Sequence, residues 1–307
     1  MTENKLNGLV AAPYTPFTQN GDLMPDTIDK YADHLIENKI SGVFVCGTTG
    51  ESLSLTTDER KRILERWVSA SRGRLKVICH VGSNCLSESI VLARHAQENG
   101  AYAIGCMAPT FFKPAKANDL GHFLKQIALA APEIPFYYYQ FPALTGVDIK
   151  ASEVLQFASS SIPNFGGIKF THSDFYDMQK CIAFEGGRYN ILSGFDEMLL
   201  CGLSLGVNAA VGSTYNFMAP VYLGVWEAFL AGDMVRAREL QLYSVKVVDV
   251  LVKYRGATIA GKSIMELIGI NCGPCRLPLN TLSEAEKVQM KEDLNSIGFF
   301  RNGWLTN

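Results

Sequence analysis

Gly42-Val43-Phe44-Val45-Cys46, then Gly47-Thr48-Thr49-Gly50-Glu51, then Thr56-Thr57-Asp58-Glu59 compose one complete structural unit. The first run is short, apolar and β-branched, which predicts a buried strand. The second is a tight turn of small residues. In the third, Thr56 and Glu59 have the spacing of a capping box, so a helix should start there and bury Ile63, Leu64, Trp67 and Val68. Strand, loop and amphipathic helix in this order form the repeating element of a parallel β/α architecture.

The unit recurs along the chain. Apolar runs at 8–12, 42–46, 76–81, 103–108, 135–139, 167–170, 190–193 and 209–212 give eight strand candidates. The stretches between them have helical periodicity, as in Ile28, Tyr31, Leu35 and Ile36. Eight such units in about 220 residues predict a closed (β/α)8 TIM barrel, because an open doubly wound sheet has fewer strands. The glycine-rich dinucleotide turn GxGxxG of that alternative does not occur. After the eighth strand the pattern turns purely helical, at 217–230, 234–253, 259–268 and 284–297, the last behind a second capping box from Ser283 to Glu286. The expected organisation is a barrel over 1–216, with the last barrel helix and a C-terminal helical extension over 217–307. No Pro/Ser/Gly linker separates the two, so the extension should pack on the barrel.

Composition narrows the function. The 307 residues are 48% hydrophobic and 19% charged, with a formal net charge of −2. That balance supplies no positive field for nucleic acid or for an anionic membrane surface. The N-terminal residues lack a secretory pattern and no apolar run has the length of a membrane span, so a cytoplasmic protein is expected. Eight scattered cysteines do not make a disulfide framework, and Cys46, Cys79 and Cys106 fall in strand-like runs where cysteine acts as a small hydrophobe. Cys272-Gly273-Pro274-Cys275 has dithiol spacing, but it follows a helix late in the chain and not an early strand. The five histidines, His34, His80, His95, His122 and His172, are dispersed, and no four-ligand metal set is completed. Neither a metal nor any other cofactor is expected.

Lys169 stands out. It sits in Gly166-Gly167-Ile168-Lys169-Phe170, a cation within an apolar strand. Desolvation would disfavour its charged form and leave a neutral amine able to attack a ketone. The plainer reading is a strand-end lysine whose head reaches water. The loops that should surround it carry other reactive types: Gly47-Thr48-Thr49-Gly50-Glu51 after strand two, Tyr139 ending strand five, Thr171 after strand six, Gly194-Phe195-Asp196-Glu197 after strand seven, and Gly212-Ser213-Thr214-Tyr215 after strand eight. All map to the carboxyl ends of strands, the face where barrels gather catalytic side chains. Tyr139 shares one strand face with Tyr137, opposite Phe136 and Tyr138, which also suits core packing. Asp196 also reads as a helix N-cap.

Together, Gly47-Thr48-Thr49-Gly50-Glu51, Tyr139 before Pro142, Lys169, and Gly212-Ser213-Thr214 resemble the dihydrodipicolinate synthase and N-acetylneuraminate lyase superfamily of Schiff-base barrels, over about residues 9–278. The stretch from Tyr137 to Gly146, together with Lys169-Phe170-Thr171 and Gly194-Phe195-Asp196-Glu197, is most similar to the lyase branch. Where the synthase branch has an arginine shortly after the proline, this chain has Ala143-Leu144-Thr145; where that branch has a relay tyrosine after strand four, it has Phe111-Phe112. Gln140 replaces an asparagine common in bacterial lyases.

The resemblance implies a metal-free class I aldolase that cleaves sialic acid to pyruvate and N-acetylmannosamine. Lys169 would form the imine and Tyr139 would move the proton. Thr48 and Thr49 would hold the keto-acid carboxylate, while Thr171, Gly194, Asp196, Glu197 and Ser213 would bind the polyhydroxyl chain. It also implies a homo-oligomer, a tetramer in this family. Rival expectations are a lyase for another 2-keto-3-deoxy sugar acid, or a non-catalytic sugar-acid sensor on the same barrel. A phosphosugar barrel is disfavoured, because 206–212 offers only a weak phosphate loop.

Overall fold

The computed structural model describes residues 5–300. Its strands are β1 (Gly8–Ala11), β2 (Gly42–Val45), β3 (Lys76–His80), β4 (Ala103–Met107), β5 (Phe136–Gln140), β6 (Phe165–Phe170), β7 (Asn190–Ser193) and β8 (Ala209–Gly212). The helices are α1 (Thr27–Glu37), α2 (Thr57–Ser71), α3 (Leu86–Glu98), α4 (Ala117–Ala128), α5 (Pro142–Thr145), α6 (Ala151–Ser161), α7 (Phe175–Ala183), α8 (Leu199–Leu205), α9 (Tyr215–Leu230), α10 (Met234–Lys253), α11 (Ala257–Leu267) and α12 (Glu284–Ser296). The strands pair in sequence order, β1 through β8, and β8 closes on β1 through parallel pairs such as Val10 with Val211. This is the expected (β/α)8 barrel, followed by helices.

Both capping boxes form: Thr56 accepts the Glu59 N–H and Ser283 accepts the Glu286 N–H, and each glutamate returns a bond to its cap backbone. Element ends shift from expectation by a residue or two. β5 runs on to Gln140, because its Cα pairing with Phe170 continues past Tyr139. β6 starts earlier, at Phe165, where two glycines had hidden the strand. α9 begins at Tyr215, and its first turn is broken at Met218 (φ −134°) just ahead of Pro220, whose ring excludes a regular turn before it. α11 begins at Ala257, directly after Gly256 (φ +90°).

Two apolar layers follow from strand parity. Inside the barrel lie Val10, Phe44, Ile78, Ala103, Tyr137, Tyr139, Leu192, Ala209 and Val211. Between strands and helices lie their alternates, among them Val43, Ile104, Phe136, Tyr138 and Ile168, with the helix faces of Ile63, Leu64 and Trp67. Among the described residues no helix is long and apolar enough to cross a membrane.

Candidate active site

Lys169 occupies the inward face of β6, level with Tyr139 on β5 and Leu192 on β7. Only 4% of it is exposed. Its Nζ lies 4.0 Å from the Tyr139 ring centre and 4.4 Å from that of Phe44, so ring faces replace part of the lost hydration. Burial nonetheless wins and brings the amine down to about 7, opposed in part by the negative charge of Asp196. At neutral pH a substantial share of Lys169 is therefore an uncharged nucleophile.

The Tyr139 hydroxyl is 3.1 Å from Thr48 Oγ1. Burial raises the phenol well above its ordinary range, an effect the Thr48 bond only partly offsets, so Tyr139 is protonated at neutral pH. Thr48 is carried by a closed turn in which the Glu51 N–H donates to Thr48 O (3.0 Å) and the Ser52 N–H to Gly47 O (3.2 Å). The buried Thr15 hydroxyl anchors the turn by donating to Gly50 O at 2.7 Å. Glu51 does not line the cavity. It adopts a left-handed backbone (φ +58°), which costs a non-glycine residue on the order of 1 kcal/mol or more.

Thr171 is buried, and its Oγ1 has no hydrogen-bond partner among the described residues. Gly194 faces it so closely that a Cβ there would lie 2.0 Å from that oxygen. Asp196 does not cap a helix, contrary to the alternative the sequence offered. Its Oδ2 accepts from the Thr214 N–H (2.7 Å) and hydroxyl (2.6 Å), which ties the loop after β7 to the loop after β8. Gly212 is required for that approach, since a Cβ at this position would stand 1.8 Å from Asp196 Oδ1. Burial raises the Asp196 carboxyl, and burial followed by the neighbouring Asp196 raises that of Glu197.

Thr48, Thr49, Tyr139, Lys169, Thr171, Gly194, Asp196, Glu197 and Ser213 all line one cavity of about 260 Å³ at the carboxyl ends of the strands. A larger hollow of about 580 Å³ lies at the opposite end, beside Lys5, Tyr137 and Arg188, and contains none of them. Sequence reasoning missed several neighbours. Phe44 reads only as an apolar strand residue. His80 is buried, its ring centre 5.8 Å from that of Tyr139, and burial, Arg60 and Lys169 all lower its basicity. Strand parity with Ile78 would have placed it inward. Val248, Leu251 and Val252 of α10 and Ala257 and Thr258 of α11 close the far wall, and no local motif marks them. Cys272 and Cys275 are free, with thiols pushed by burial up to about 12 and about 11, which disfavours thiolate chemistry at neutral pH.

A closed parallel barrel that holds a desolvated amine of lowered basicity between two rings at its mouth defines a class of proteins equipped for covalent chemistry on carbonyl compounds. Comparison with known proteins narrows the class. Residues 5–297 match the model of the dihydrodipicolinate synthetase family. The N-acetylneuraminate lyase of Gallus gallus is 42% identical over 297 residues, 95% of this chain and 96% of that protein. The lyase of Homo sapiens is 42% identical over 301 residues, 97% of this chain and 94% of its own. Among solved structures, the Proteus mirabilis N-acetylneuraminate lyase is 40% identical with a TM-score of 0.94, covering 96% of this chain and all of that one. The chain belongs to the dihydrodipicolinate synthetase family.

Proposed function

We propose that this protein is a Schiff-base aldolase that cleaves N-acetylneuraminate reversibly to pyruvate and N-acetylmannosamine. The observation that carries this reading is the desolvated Lys169 Nζ beside Tyr139, in a chain about 40% identical over nearly its whole length to lyases of that name. The neutral amine attacks the C2 ketone of the open-chain sugar and loses water, giving a protonated imine. Tyr139 accepts the C4 hydroxyl proton as its own passes to the keto-acid carboxylate held beside it by Thr48, the C3–C4 bond breaks, and its electron pair enters the imine to form an enamine. C4 departs as the aldehyde of N-acetylmannosamine. Return of that proton from the Tyr139 relay to C3, and hydrolysis of the imine by water, then release pyruvate and restore the lysine.

Thr48 and Thr49 hold the carboxylate. Thr171, Gly194, Asp196, Glu197 and Ser213 bind the hydroxyl chain. The unpartnered Thr171 Oγ1 supports this, because a buried hydroxyl without a partner is costly until a ligand supplies one. The barrel, through residue 216, carries the reacting groups, and α10 and α11 of the helices that follow complete the far wall. We further propose a cytoplasmic homotetramer. The eight free cysteines fit a reducing compartment, and the exposed pair Phe111 and Phe112 fits burial between copies.

Borohydride reduction with pyruvate tests the imine: the peptide containing Lys169 should gain the mass of the reduced adduct, and an unmodified peptide in active enzyme would refute it. Assaying pyruvate release from N-acetylneuraminate and from 2-keto-3-deoxygluconate separates the proposed substrate from the nearest rival. Because protonated Lys169 cannot attack, kcat/KM is expected to fall about tenfold per pH unit below 7. A flat acid limb down to pH 5 would assign the nucleophile elsewhere.

A further inference from the structure

Glu51 combines three features that no step of the proposed reaction uses. It has a left-handed backbone, its side chain is fully buried, and it forms an ion pair across the molecule: Oε1 is 2.7 Å from Nζ of Lys262 on α11, whose side chain is 2% exposed. Its other oxygen accepts the Arg276 N–H at 2.8 Å. Lys262 is also held by Pro274 O at 2.7 Å and lies 4.4 Å from the Phe17 ring centre. Arg276 completes the attachment by donating to Ser54 O (2.9 Å) and by pairing with Glu59, whose carboxyl it draws down to about 2. The helical layer after the barrel thus grips the loop after β2 at both ends.

This grip acts on the residues that face the substrate. Glu51 is joined through its own N–H to Thr48 O, and Thr48 Oγ1 reaches the Tyr139 hydroxyl. Buried charges pair at a desolvation cost that a well-packed apolar pair would not incur, so such a pair is a poor choice for stability alone. It does fix geometry, because neither charge can leave the other without being stranded. Left-handed strain in a functional loop likewise persists only where surrounding contacts over-determine it.

We propose that Glu51 and Lys262 are positioning residues that hold the turn of Thr48 and Thr49 in the conformation that receives the keto-acid carboxylate. The inference rests on the Schiff-base reading above and assigns control of keto-acid affinity to a pair outside the cavity. In Glu51→Gln the shape and the acceptor for Arg276 remain while the charge is lost, and Lys262→Met removes the partner. The double variant strands no charge.

The test is to measure KM for pyruvate in the synthetic direction, kcat, the melting temperature and borohydride trapping for wild type and all three. KM is expected to rise at least tenfold in the single variants, with kcat within about threefold, and to recover partly in the double variant. Trapping at Lys169 should persist at saturating pyruvate. A lowered melting temperature with unchanged KM, a loss confined to kcat, or failure of all three variants to fold would each overturn the positioning role and leave the pair purely architectural. Absence of trapping in the wild type would instead defeat the Schiff-base reading itself, so the two failures are distinct.

Discussion

Lys169→Met is expected to lose turnover on the order of a hundred-thousand-fold or more and, at pH 6, to melt at a higher temperature than the wild type. The first effect follows, on the proposed mechanism, from removal of the amine that bonds the substrate ketone. The second follows from linkage. In the folded chain the amine gives up its proton near pH 7, whereas exposed in the unfolded chain it does so near 10.5. Between these values the unfolded state binds more protons, so native stability rises with pH. Below pH 7 the whole cost of burying the ammonium stands, on the order of 5 kcal/mol. Methionine fills similar space without that charge, so its advantage should be largest at pH 6 and shrink steadily towards pH 10. Calorimetry of both proteins at pH 6 and pH 9 checks this. An equal difference at the two values would mean that the amine is not desolvated.

Tyr139→Phe keeps the ring that faces Lys169 and removes only the hydroxyl. The imine should therefore still form, and borohydride should still trap pyruvate, while kcat falls about a hundredfold or more because the C4 proton has lost its carrier. The hydroxyl is 3.1 Å from Thr48 Oγ1, so KM should move modestly as that threonine loses its partner. If kcat were unchanged, the proton would travel through another group, and the neutral, buried His80 would be the first to examine.

The barrel was legible because its signals are local and repeat. A capping box at Thr56, apolar runs at regular intervals and a helix stripe at Ile28 through Ile36 each depend on residues close in sequence. The convergence of the candidate residues on one cavity was legible for a related reason: strand ends converge in any parallel barrel, so Tyr139, Lys169 and Asp196 needed only correct strands to be brought together. Long-range partnerships were not. Glu51 and Lys262 lie 211 positions apart and look like any loop acid and helix base until the chain folds. Asp196 read as a cap because its Thr214 partner sits in another loop. Phe44 gave no sign that its ring would face an amine, since packing and cation contact use the same residue type.

The far wall of the cavity comes from α10 and α11, while the amine and the phenol come from β6 and β5. The amine and phenol, and the polar loop residues around them, thus belong to the barrel, whereas the apolar far wall is encoded separately. Substitutions at Val248, Val252 or Thr258 should reshape that wall without disturbing the strands that carry Lys169 and Tyr139. A scaffold divided in this way lets evolution, or an engineer, exchange aldehyde partners while the keto-acid half of the chemistry is inherited intact.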